Sequence, residues 1–104
     1  MINPKTVHGK KLALIGWAKD DEGEDDVSVF SGIARWNGTQ LILDRGNDNL
    51  DFNIPNEWLQ RLKSVEDEFK ETLMNADYSI SFSVDNLPND KASEYILTTL
   101  KWPK

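Results

Sequence analysis

Cysteine is absent from all 104 residues, and histidine occurs once, as His8. Without thiols the chain has neither a disulfide framework nor a thiolate metal site, and a reducing compartment suits it. A single imidazole cannot supply the donors of a zinc centre. A Ser-His-Asp arrangement needs a histidine packed against its acid. His8 instead sits in a Gly- and Lys-flanked N-terminal stretch. Neither G-x-G-x-x-G nor G-x-x-x-x-G-K-[ST] occurs, so the two common phosphate-cradling loops are missing. No stretch approaches the roughly 18 apolar residues of a membrane span. The first eleven residues lack an apolar signal-peptide core.

Clustered cations are scarce as well. Lys5, Lys10 and Lys11 stand near the start, Lys101 and Lys104 at the end. Binding a nucleic-acid backbone needs a basic patch to neutralise phosphates, and none is evident. These absences set the expectations: a cytoplasmic, non-enzymatic protein with no cofactor, no metal, no nucleic-acid partner and no membrane.

What the chain has in quantity is acid, and it is concentrated. Asp20, Asp21, Glu22, Glu24, Asp25 and Asp26 place six carboxylates in seven residues around Gly23. The formal net charge is −6, and the other residues hold 12 acids against 12 bases. The whole charge excess therefore belongs to one short segment.

A chain of this length is near the commonest domain size. We expect a single globular domain over 1–104, with about 1–9 as a flexible N-terminal segment. Leu12 to Ala18 is an apolar run of strand length, and Val27 to Trp36 and Thr39 to Asp44 read as further strands. The acidic segment between the first two is thus a loop inside the domain. Asn37-Gly38 predicts a two-residue type I′ hairpin, which sets Trp36 opposite Thr39, Ala34 opposite Leu41 and Gly32 opposite Leu43. Gly32 in mid-strand predicts a bulge or a close approach by another element. Asp51 to Ile54 reads as a short edge strand ended by Pro55.

Trp58, Leu62, Val65, Phe69, Leu73 and Ala76 recur every three or four residues, which predicts one helical segment at about 56–76. Ser64-Val65-Glu66-Asp67 resembles a capping box and suggests two short helices over one long one. Tyr78 to Val84 alternates without a break as a strand with a serine face, Asn86 to Asp90 reads as a turn, and Tyr95 to Trp102 reads as a closing strand. The expected fold is α+β. It is a small twisted antiparallel sheet or open barrel of five to six strands, in the order β-β-β-β-α-β-β, with the helical segment packed on it. An OB-type barrel is compatible with that order.

Calcium is the first chemistry to test against the acids. An EF-hand requires a glutamate six residues after its glycine, and Val29 stands there relative to Gly23. Gly46-Asn47-Asp48-Asn49-Leu50 resembles half of the calcium-binding nonapeptide of RTX β-helices, but it lacks the leading Gly-Gly and a second copy. Asn and Asp serve loops in their own right, because they bond nearby backbone and tolerate the left-handed region.

Four tryptophans are available as interface anchors. Trp36 and Trp58 fall on apolar stripes, and Trp17 and Trp102 near strand ends are the exposed candidates. The expected function is an acidic protein-interaction module that binds a basic partner, such as an inhibitor of the immunity or antitoxin type. Its partner-binding residues are Asp20, Asp21, Glu22, Glu24, Asp25, Asp26, Trp17 and Trp102. Two alternatives differ in class. One is a small-molecule-binding or enzymatic domain using a cleft between sheet and helix, the other a Ca²⁺-responsive module.

Overall fold

The structure is a computed structural model that describes residues 2–19, 21–85, 87 and 90–102. Among these the chain forms one six-stranded sheet. Strand β1 is Lys11–Lys19, β2 Asp25–Trp36, β3 Leu41–Asp44, β4 Phe52–Ile54, β5 Lys63–Ser64 and β6 Tyr78–Ser83. Helix α1 is Pro4–Val7 and α2 is Lys91–Leu100, and short 3-10 turns occupy Asn56–Arg61 and Asp67–Phe69. The spatial order is β4-β3-β2-β1-β6-β5. β6 runs parallel to β1, from Leu12 beside Tyr78 to Trp17 beside Ser83, while the other neighbours are antiparallel. The sheet is therefore mixed and open. It is neither wholly antiparallel nor a barrel, because its end strands β4 and β5 do not meet.

Strand alternation assigns the two faces. One carries Leu12, Leu14, Ala34, Leu41, Leu43, Phe52, Ile54, Ile80 and Phe82, and Val7, Trp58, Leu59, Leu62, Ile96 and Leu100 cover it. The other holds a smaller cluster of Ala13, Val65 and Ala76, flanked by Val29 and Leu73.

These two cores explain why the segment at 56–76 is not a helix. Trp58 and Leu62 belong to the first core, Val65 and Ala76 to the second. A helix presents one stripe to one side, so a single helix cannot serve both faces. The chain instead rounds the sheet edge at Lys63–Ser64, where β5 pairs with Ser79 and Tyr78. Only the two 3-10 turns survive of the helical expectation. Phe69, a member of the stripe, is left 52% exposed.

The expected last strand is helix α2. Its buried residues are Ser93, Ile96, Thr99 and Leu100, a helical spacing, and Thr98 of the supposed strand face is exposed. Asp90 caps the helix, its Oδ1 accepting from Ser93 N–H at 3.0 Å. At the other end Lys101 is left-handed with φ 55°. Lys101 N–H donates to Thr98 O at 3.2 Å and Trp102 N–H to Leu97 O at 3.0 Å. This pair of bonds is a Schellman closure. It turns the chain sharply and puts the Trp102 ring against Phe30 and Phe82.

The Asn37-Gly38 turn also forms differently. Positive φ falls at Gly38 and not at Asn37, so the type I′ requirement is unmet. The Asn37 side chain accepts from Thr39 N–H at 3.0 Å and Gln40 N–H at 2.8 Å. The loop becomes four residues, and Trp36 pairs with Leu41 and Ala34 with Leu43. A shift of two keeps every side chain on its expected face. Gly32 is a close approach, not a bulge: a Cβ there would run into the backbone carbonyl of Asp44.

Residues 1–9, expected to be flexible, contribute packed chain from α1 onward. Val7 is fully buried, and His8 Nδ1 accepts from Trp36 N–H at 2.9 Å. The turn expected over Asn86 to Asp90 lies largely outside the described residues. Among those described, no helix is long and apolar enough to cross a membrane.

Three outcomes test this account. Gly32→Ala should lower stability by about 1–3 kcal/mol through overpacking, read from the urea midpoint. Lys101→Gly should raise it by about 0.5–1 kcal/mol, because glycine relieves the left-handed strain. The third concerns Asp44, whose carboxylate accepts from Arg35 Nε at 2.9 Å and Nη2 at 2.6 Å, and from Gly46 N–H at 3.0 Å. The Arg35 side-chain bond first, then the Gly46 bond, holds its pKa below the usual carboxylate value. A depressed folded pKa gives stability that is present above the unfolded value, about 3.9, and lost as pH falls through the folded one. Asp44→Asn should therefore lower Tm at neutral pH, and the gap to wild type should close as pH drops below about 4.

Candidate interaction surface

Strands β1 and β2 form a long hairpin, in register from Lys11 opposite Ile33 to Lys19 opposite Asp25. Its base is held by apolar burial. Leu12 and Leu14 are fully buried, each contributing about 1.5–3 kcal/mol. Its tip has polar chain only. The Lys19 Nζ–Asp25 Oδ1 pair at 3.0 Å is more than half exposed on both sides and contributes at most about 1 kcal/mol. The tip is thus carried by the strands, and this exposed pair adds little to its stability.

Asp21, Glu22, Glu24, Asp25 and Asp26 are all exposed at this end. Asp20 lies outside the described residues. β2 begins at Asp25, so Asp25 and Asp26 are strand residues and not loop. Alternation then sends Asp25 to the face of the smaller core and Asp26 to the other. The tertiary fold adds a carboxylate that the sequence does not associate with the segment. Asp85, just past β6, accepts from Lys19 N–H through Oδ2 at 2.7 Å. Nothing local marks Asp85, since only the parallel β1–β6 pairing brings it here. Six described carboxylates therefore surround the hairpin end, Asp25 paired with the Lys19 ammonium and Asp85 with its backbone N–H.

The two tryptophans proposed as anchors are not neighbours. Trp17 is half-buried opposite Val27, on the face of the smaller core. Trp102 packs on the opposite face, over Gly16 and beside Phe30 and Phe82. Trp17 is thus beside the acidic end on the less covered face, and Trp102 is part of the main core's rim.

Two depressions flank the sheet. A cleft of about 630 Å³ lies between the 3-10 turn, the end of β6 and α2, with Trp58, Arg61, Phe82, Ser83, Ser93 and Ile96 among its walls. Trp17, Arg35 and Trp102 do not line it. Ser83 Oγ is buried without a hydrogen-bond partner, and its pairing beside Trp17 directs it to the face of the smaller core. A second groove of about 310 Å³ runs over the other face between Ile15, Val65, Phe69, Leu73 and Ser79. Ser79 is 1% exposed, and its Oγ also lacks a partner.

The Asn- and Asp-rich loop after β3 is organised from within. The Arg45 guanidinium donates to Leu50 O at 2.9 Å and to Thr99 O at 2.6 Å, placing a cation on the last carbonyls of α2. Asn47 takes the left-handed region with φ 53°. Among the described residues no three His, Cys, Asp or Glu side chains gather to hold a metal ion.

No protein-family model, no curated protein and no solved structure matches this chain.

Proposed function

We propose that the protein is a non-enzymatic interaction module that captures a partner bearing a basic patch, acting in the cytoplasm. One observation carries the reading: the exposed carboxylates converge on the projecting end of the β1–β2 hairpin, with Asp85 added from β6. Such a concentrated field steers a cationic surface toward one end of the molecule and raises its association rate. An inhibitor of the immunity or antitoxin type, covering the cationic active site of a nuclease, is the concrete form of this role.

A small-molecule site in the sheet–helix cleft is the second reading. The size of the cleft, about 630 Å³, and its mixed walls of Trp58, Phe82 and Arg61 favour it. That site is remote in kind from the hairpin end, so its ligand would be indifferent to the hairpin acids.

The test uses the variant D21N/E22Q/E24Q/D25N and an oligolysine peptide as the cationic probe. Association should slow by about tenfold or more in the variant at low ionic strength, with the difference shrinking once the Debye length falls to about 8 Å near 0.15 M salt. Equal rates for the two proteins at low salt would reject the proposal.

A further inference from the structure

The sheet face opposite the main core is only partly covered. The segment from Val65 to Ala76 closes it over Ala13, and beyond that cover it stays open along the hairpin. Ile15 pairs with Val29, Trp17 with Val27 and Lys19 with Asp25, all on this face in succession. Strand rise puts Lys19 about 14 Å from Ile15. An apolar strip therefore runs from the 310 Å³ groove straight into the acidic end. Two large apolar side chains along it are poorly covered: Val27 is 55% exposed and Phe69 is 52% exposed. Beside the groove, residues 63–71 carry four acids against two lysines. Lys70 already lies 3.7 Å from Asp77 and 4.0 Å from Asp67.

Apolar strip and acidic surroundings together select the occupant. We propose that this face seats an amphipathic basic helix of a partner protein. Its apolar side chains would lie against Ile15, Trp17, Val27, Phe69 and Leu73, and its lysines or arginines among the hairpin carboxylates and Glu66. The proposal rests on the acidic capture reading above and deepens it by naming the apolar half of the contact. Layered folds cover an apolar sheet face with a helix, and helix-in-groove recognition uses this pairing of apolar stripe and charged flank. A second copy of the chain fits poorly. Two copies of net charge −6 would repel, and the acids at both ends of the strip would face carboxylates instead of cations.

The test measures fluorescence anisotropy with two labelled peptides of equal charge and about 14 residues, long enough for nearly four helical turns. One is a Leu/Lys amphipathic helix, the other has serine in place of leucine. The proteins are wild type, V27S, F69S and D21N/E22Q/E24Q/D25N, with thermal melts to verify that each is folded. The Leu/Lys peptide should bind wild type at least about tenfold more tightly than the Ser/Lys peptide. V27S and F69S should each weaken the Leu/Lys peptide about fivefold and leave the Ser/Lys peptide unchanged, and the acid-neutralised protein should lose affinity for both. Equal affinity for the two peptides, indifference to V27S and F69S, or no binding of the Leu/Lys peptide would overturn the seat. If the Ser/Lys peptide still responds to the acids, capture by charge alone survives that failure. Leu/Lys binding that ignores the acid neutralisation would reject both the capture reading and the basic character of the occupant. A wild-type dimer in sedimentation that V27S or F69S dissolves would assign the face to self-association and overturn the proposal.

Discussion

Strand β1 must be covered on both faces, and most of the architecture follows from that need. Leu12, Ala13 and Leu14 are consecutive and all fully buried. Consecutive burial in a strand means that apolar material lies above and below it, as it does for the strands of parallel sheets. β1 has β2 on one side and the parallel β6 on the other. One face receives the 3-10 turn at 56–61 and α2, the other the return segment from Val65. The chain must therefore travel around the β6 edge, and the two-residue strand β5 marks the crossing.

The peripheral pieces are held by polar contacts in a few places. Arg45 ties the loop after β3 to the end of α2 by reaching Leu50 O and Thr99 O. The closure at Lys101 then directs Trp102 over Gly16, where a Cβ would collide with the indole. Gly16 and Gly32 thus serve opposite neighbours, a ring in one case and the Asp44 backbone in the other. Both positions lack a side chain for reasons of space, since neither has a positive φ.

The acidic end and the open face are consequences of the same layout. The hairpin outruns the layers that cover its base, so its last residues have no core to enter. Charge is stable there because it stays hydrated and needs no buried partner. The Val65–Ala76 cover ends short of the hairpin tip, which leaves Trp17 and Val27 between a packed region and a charged one. The acidic end is the property that the two functional proposals share, and the apolar strip beside it belongs to the second alone.

Much of this was legible in the residues. The apolar run at 12–18, the alternation at 78–84 and the breaker Pro55 each specify a strand or its end through local chemistry. The acidic segment could be located as a loop between strands, since its mutual repulsion opposes packing wherever the chain places it. Asp85 was not legible as its companion, because a parallel neighbour is separated by most of the chain. Three features reversed on folding. The stripe from Trp58 to Ala76 has helical spacing, yet its members are divided between two faces of one sheet. Tyr95 to Trp102 is rich in strand-favouring residues, but the Asp90 cap and the burial of Ile96 and Leu100 on one side make it a helix. The Asn37 side chain bonds its own loop and moves the hairpin register by two. Composition and local pattern determined where strands begin, where charge collects and which residues seek burial. The tertiary structure alone decided which face each one enters, because that choice depends on what the opposite side of β1 still lacks.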